Sequence, residues 1–290
     1  MTMPGGDDQS FGGGSVFGKR PNALTHLLSQ NRTLVMGVLN VTPDSFSDGG
    51  QFNEAQNALR QAQKMIQDGA DIIDVGAEST RPYGGGKPVT LEEELARLQH
   101  VLPTVVQMGA PVSIDTMKPE IALWALGLGV SIVNDVWGLQ RDPNMARVVA
   151  EHGVPVIVMH NRYKADPTIN IISDINAFFT YSIDVAENAG ILRECIVLDP
   201  GIGFGKTPEQ SMEAIAKLET FKRFNLPILV GASRKRFIDS VSPSVPMERI
   251  GGSLAAHLLA VRNGAAIIRT HDVAETIQAI KVDNALRAIK

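Results

Sequence analysis

Eight short runs of apolar, largely β-branched residues recur along the chain, at 33–40, 71–76, 111–116, 130–135, 154–160, 196–200, 227–233 and 265–271. They are continuous rather than alternating, as expected of parallel strands covered on both faces. Between them, apolar residues at three- and four-residue spacing predict helices near 54–68, 91–107, 119–126, 143–152, 174–189, 208–224, 247–263 and 273–288. Eight such pairs predict an α/β fold, a single (β/α)8 TIM barrel. A doubly wound open sheet is the competing arrangement, but no Gly-x-Gly-x-x-Gly turn follows the first run. Helix-end punctuation agrees with the barrel: Thr207-Pro208-Glu209 reads as a capped start, and Gly69, Gly153, Gly190 and Gly264 fall where helices should stop.

The first part of the chain does not share the pattern. Residues 1–20 hold six glycines and little to bury, so 1–30 is expected to be a flexible Gly-rich N-terminal extension, with the barrel domain spanning 31–290. Within that extension a short helix near 22–29 either plugs the closed end of the barrel or packs beside the first strand. Composition adds exclusions. With 44% hydrophobic and 20% charged residues over 290 positions, the chain can bury one large core. A net charge of −4 disfavours a general nucleic-acid binder, although Arg234, Lys235 and Arg236 form a local basic spot. The single Cys195 opens a predicted buried strand and reads as a structural thiol in a reducing compartment. No run reaches the roughly 18 apolar residues of a spanning helix, and the start lacks a signal-peptide pattern, so the cytoplasm is the expected location.

Candidate chemistry collects where the runs stop. Their ends supply Asn40, Asp74, Asp115, Asn134, His160, Asp199, Ser233 and Arg269 with His271, and in a barrel all of these reach one rim. Asp115, Asn134 and Asp199 suit the N–H pairs on the edge of a flat heterocycle, although any one of them could instead cap the following helix. Arg269 and His271 follow the last strand, where such barrels bind phosphate, so they read as an anion clamp. The competing reading makes Arg269 a core ion-pair partner and Asp272 a helix cap. Met159 and His160 fit either a packed core or a substrate contact. Asn40 offers a neutral oxygen suited to Mg²⁺. The loop 79–88, with three consecutive glycines, and the turn-rich loop 41–50 suit segments that close over a site.

Taken as motifs, these segments resemble dihydropteroate synthases. The likeness runs from Gly37-Val38-Leu39-Asn40-Val41-Thr42-Pro43-Asp44 through Glu78-Ser79-Thr80-Arg81-Pro82, Ser113-Ile114-Asp115-Thr116 and Asn134-Asp135-Val136. It continues in Leu198-Asp199-Pro200-Gly201-Ile202-Gly203-Phe204-Gly205-Lys206, Gly231-Ala232-Ser233-Arg234-Lys235 and Arg269-Thr270-His271-Asp272-Val273. The resemblance implies a transferase of folate biosynthesis that joins 4-aminobenzoate to 6-hydroxymethyl-7,8-dihydropterin diphosphate and releases pyrophosphate. It implies Mg²⁺ at Asn40, and Thr80 and Arg81 on a closing loop with Pro82 beside the aminobenzoate ring. It implies pterin contacts from Asp115, Asn134, Asp199 and Lys235, and pocket walls from Met159, Phe204 and Gly231. Ser233 is the implied contact to the aminobenzoate carboxylate, and Arg269 with His271 the implied diphosphate pair. A homodimer and binding of sulfonamides at the aminobenzoate site are implied as well. The chain departs from the family pattern at Tyr83-Gly84-Gly85-Gly86-Lys87 and at Asn161-Arg162-Tyr163. Three other classes share part of the pattern: a pterin-dependent corrinoid methyltransferase, which needs no diphosphate clamp, an aldolase using Lys235, and a non-catalytic pterin binder.

Overall fold

A computed structural model of the chain describes residues 23–41, 51–78 and 89–289. Eight parallel strands follow one another as β1 (Leu34–Asn40), β2 (Ile72–Gly76), β3 (Val112–Asp115), β4 (Ile132–Asp135), β5 (Val156–Met159), β6 (Ile196–Asp199), β7 (Leu229–Val230) and β8 (Ile267–Thr270). Each lies inside the run that predicts it. They pair in the order β6-β5-β4-β3-β2-β1-β8-β7, and a parallel bridge between Leu198 and Ile228 joins the two ends. The sheet is thus closed, and the open-sheet alternative falls away.

Among the described residues the helices are α1 (Ala23–Leu28), α2 (Gln51–Gln67), α3 (Leu91–Leu98), α4 (Leu102–Val106), α5 (Pro119–Leu128), α6 (Pro143–His152), α7 (Ile171–Asn188), α8 (Pro208–Ala216), α9 (Arg236–Val241), α10 (Ile250–Arg262) and α11 (Val273–Ala288). Two helices predicted as single are broken. The stretch 91–107 divides into α3 and α4, with Pro103 in the first turn of α4, where a missing N–H does no harm. The stretch 208–224 is α8 followed by a 3₁₀ turn at Leu218–Phe224. The short α9 is an addition that periodicity did not announce, since six residues give too little repeat to read.

Side chains alternate faces along a strand, and here the alternation sorts two cores. Outward residues such as Val35, Ile73, Ile114, Val133, Val158, Leu198 and Ile268 pack under the helices. Inward residues Leu34, Met36, Ile72, Ile132, Ile157, Val197, Leu229 and Ile267 fill the lower part of the barrel. Leu24 of α1 joins that inner cluster, with Leu27 and Leu28 against it. The short helix expected near 22–29 therefore plugs the closed end. It belongs to the packed barrel although it falls within the stretch read as an extension; residues 1–22 lie outside the described residues. No helix among the described residues is long and apolar enough to cross a membrane.

Candidate functional site

The same alternation that builds the lower core delivers the polar groups. Two residues beyond Ile72 stands Asp74, beyond Ile132 Asn134, beyond Ile157 Met159, beyond Val197 Asp199 and beyond Ile267 Arg269. Ser113 and Asp115 share the inward phase of β3, and Gly231 and Ser233 continue that of β7. Asn40 ends β1 on the same phase and is half-buried. One inward step up the strands changes the interior from aliphatic to chemical.

The centre of the layer is a hydrogen-bonded cluster. The Arg269 Nε donates to Asp74 Oδ2 at 2.6 Å and its Nη2 to Asp115 Oδ2 at 2.7 Å. Asn134 Nδ2 donates to the same Asp74 oxygen at 3.1 Å. Burial works against the guanidinium's charge, but Asp74 and Asp115 outweigh it and hold Arg269 protonated. Burial pushes Asp115 up to about 7, with Arg269 opposing and Asp74 and Glu94 reinforcing. Asp199 is likewise raised by burial, against the Gly201 N–H, Lys235 and Arg269. Four buried side-chain oxygens here have no partner: Asp74 Oδ1, Asp115 Oδ1, Asn134 Oδ1 and Ser113 Oγ. An amide oxygen and an ionised carboxylate can only accept. An orphaned buried acceptor costs on the order of 1–3 kcal/mol, so this wall is built for a ligand that brings N–H groups.

A second wall is apolar: Met159, Val136 and Phe204, backed by Met117 and Trp137. Lys235, the residue before α9, holds its Nζ 4.1 Å from the centroid of the Phe204 ring, a cation–π contact at the edge of the cavity. The third wall comes from the ends of β7 and β8. Gly231 stands beside the Arg269 side chain, near enough that a Cβ would touch it at 3.7 Å. Ser233 Oγ accepts the His271 backbone N–H at 3.2 Å, which leaves its own proton for His271 Nδ1 at 3.0 Å. His271 is pulled down to about 3 by burial first, then by Arg269, Arg234 and Lys235. His271 is therefore neutral in this arrangement. Asp199 and His271 lie on the inward phase of their strands, and Arg269 and Lys235 act on the charge of both.

Arg269 makes the ion pair with Asp74 and Asp115 that the sequence offers beside an anion clamp. Arg234, part of the basic spot, is committed to Asp272 through its Nε at 3.1 Å and Nη2 at 2.5 Å. His160 has the outward phase of β5 and packs edge-on against Phe178, away from the mouth. Thr80, Arg81 and Pro82, with Tyr83 and the glycines after it, lie outside the described residues. Asp74 was visible in the sequence only as one acid among the strand ends. A lone carboxylate in the middle of an apolar strand, on the inward phase, was the signal for its central place.

Residues 36–271 match the model of the family described as pterin binding enzyme. The chain is 42% identical over 272 residues to dihydropteroate synthase of Bacillus subtilis (strain 168), covering 93% of each. The chain belongs to the dihydropteroate synthase family. This membership makes it a transferase. Among solved structures, Xanthomonas albilineans dihydropteroate synthase with 4-aminobenzoic acid superposes with a TM-score of 0.86 at 40% identity, covering 90% of this chain and 95% of that one. The Yersinia pestis enzyme in complex with a sulfonamide drug gives 0.82 at 40% identity, over 90% and 96%.

Proposed function

We propose that the barrel mouth joins 4-aminobenzoate to 6-hydroxymethyl-7,8-dihydropterin diphosphate, forming 7,8-dihydropteroate and releasing pyrophosphate, by a dissociative, S_N1-like displacement. One observation carries this reading: acceptor oxygens without donors on one wall and a bound guanidinium with neutral donors on the other, all on one inward layer of the strands. The pterin's N–H edge supplies donors to Asp115, Asn134 and Asp199, while Phe204 and Met159 cover its faces. As the C–O bond to diphosphate breaks, positive charge spreads from the methylene into the pterin ring. Fixed carboxylates in a dry cavity stabilise that cation better than water, because they need not reorient. The weakly basic amine then attacks, forms the C–N bond and loses a proton.

On the leaving-group side, Arg269 and the N–H of His271 take the diphosphate, helped by the start of α11. Asn40 is the residue we assign to Mg²⁺. Its hard, neutral oxygen on the inner rim fits an ion that keeps several waters and shares the rest of its shell with phosphate, and the ion would spread the charge of the departing group. Ser233 reaches the aminobenzoate carboxylate, and sulfonamides compete for that place. Thr80, Arg81 and Pro82 contribute from the second rim loop. The exposed apolar residues Leu259 of α10 and Val282 and Leu286 of α11 support a homodimer. A single buried thiol, Cys195, suits a cytoplasmic setting.

Pyrophosphate release from the dihydropterin diphosphate, with and without 4-aminobenzoate and Mg²⁺, tests the reaction. Release that depends on the amine is expected; release at the same rate without it would mean hydrolysis instead of condensation. Arg269→Ala should weaken binding of the diphosphate substrate more than binding of the free 6-hydroxymethyl pterin. Equal losses for both ligands would remove Arg269 from the leaving-group side.

A further inference from the structure

Behind the apolar wall, outside the mouth, lies a buried cluster that the reaction as described does not use. Lys206 ends the β6–α8 loop and is only 1% exposed. Its Nζ lies 2.9 Å from the Gly201 carbonyl oxygen, 3.1 Å from that of Phe204 and 2.6 Å from His160 Nδ1. The His160 carbonyl oxygen lies farther off at 3.5 Å, so acceptors surround the three N–H bonds of the ammonium. Since Nδ1 accepts, the His160 proton sits on Nε2, which donates to Asp174 Oδ2 at 3.0 Å. Arg162 Nη1 closes the far end on both Asp174 oxygens, at 2.8 and 2.9 Å. Charge therefore runs from cation through a neutral imidazole to an anion and a second cation. Burial and Lys206 hold His160 down to about 4, and the His160 and Arg162 contacts hold Asp174 down to about 2, so both states persist at neutral pH.

The loop that Lys206 fastens carries two walls of the site. The Gly201 N–H holds Asp199 Oδ1 at 2.7 Å, and the Gly201 carbonyl takes Lys206, so one residue links the ammonium to the pterin-side carboxylate. Phe204, whose ring bears the Lys235 Nζ, is held by its own carbonyl. The loop is pressed against the tail of β5. His160 N donates to the Asp199 carbonyl at 2.8 Å. Gly201 and Gly205 have φ of +64° and +55°, and a Cβ on either would collide with His160 or Arg162 backbone.

We propose that Lys206 is a positioning residue for the pterin end of the reaction, fixing Asp199 through Gly201 and Lys235 through Phe204 by fastening their loop to His160. The proposal rests on the reaction assigned above. Burial draws Lys206 down to about 7, with Asp199 and Asp174 opposing and Lys235 and Arg162 reinforcing. Loss of the ammonium frees the two carbonyls, and Asp199 and Phe204 lose their shared anchor. The acceptor side of the mouth, built on β7 and β8, keeps its own supports at Ser233 and Asp272.

The test compares Lys206→Met, His160→Phe and His160→Gln with wild type in steady-state kinetics, and measures direct calorimetric binding of the dihydropterin diphosphate. Gln can accept from Lys206 and donate to Asp174, whereas Phe keeps the ring's bulk and does neither. Lys206→Met and His160→Phe should raise KM and Kd for the dihydropterin diphosphate at least tenfold and fivefold, with KM for 4-aminobenzoate within twofold and His160→Gln close to wild type. Should Lys206→Met not fold, the Phe and Gln pair decides alone. Equal losses for the two substrates, indistinguishable His160 variants, or unchanged pterin binding by folded Lys206→Met would overturn the role. Wild-type turnover measured in the same series tests the reaction itself, so the two failures stay separate.

Discussion

The lower and upper layers of the barrel interior are made by the same strands, one inward position apart, yet they are under opposite physical demands. Below, Leu34, Met36, Ile72, Ile132, Ile157, Val197, Leu229 and Ile267 close around Leu24 with no polar atom to satisfy. Above, Asp74, Asp115, Asn134, Asp199 and Arg269 are packed as tightly but leave carboxylate and amide oxygens without donors. The lower layer stabilises the fold; the upper one gives stability away and recovers it when a ligand arrives. Function here is a choice of which inward position along each strand is allowed to be polar.

The sharpest way to break this contrast is to exchange the effects of the two layers. Ile157→Ala should destabilise the barrel by about 2–5 kcal/mol in denaturant titrations while folded molecules turn over normally. A loss of turnover without loss of stability would mean that the lower layer also tunes the site. Asp115→Asn should do the reverse, with turnover falling at least a hundredfold, about 2.7 kcal/mol of barrier, and the melting temperature at neutral pH preserved. Lys235→Ala, which removes a cation from the Phe204 wall, should lower turnover at least about tenfold, or 1.4 kcal/mol. Unchanged turnover would make it a rim side chain only.

A smaller effect concerns pH. A carboxyl raised in the fold, as Asp115 is, contributes stability that is complete below its unfolded value and is lost as pH rises through the folded one. The difference in melting temperature between Asp115→Asn and wild type should therefore shift in favour of the variant from pH 4 to pH 7. A difference that stays constant over that window would show Asp115 ionised throughout. For the same reason the acid limb of wild-type kcat/KM should lie well above the ordinary carboxylate range.

The strands and the rim were legible because β-branched runs bounded by turn residues have few other interpretations, and because a barrel sends all strand ends to one side. What the sequence conceals is partnership. Arg269 looks like a free cation at the end of a strand, whereas Asp74, 195 positions earlier in the chain, and Asp115 hold it. His160 ends its run like the other rim residues, but it stands one step past Met159 and so turns outward toward Phe178. Lys206 closes a glycine-rich loop, where a lysine ordinarily reads as solvated. Only the folded loop reveals the acceptors around it. The break at Pro103 was written in the sequence, since proline at a helix start is a common signal.

The bridge between Leu198 and Ile228 has a further consequence. Every other neighbouring pair of strands is laced by two or more paired residues, while β7 is two residues long and meets β6 through that single bridge. This seam runs directly beneath Asp199 on one side and Ser233 on the other. If the hoop breathes anywhere, it does so there, and amide deuteration should reach Leu198 sooner than the amides between β1 and β2. Widening of the seam would draw Asp199 at the end of β6 away from Ser233 beyond β7.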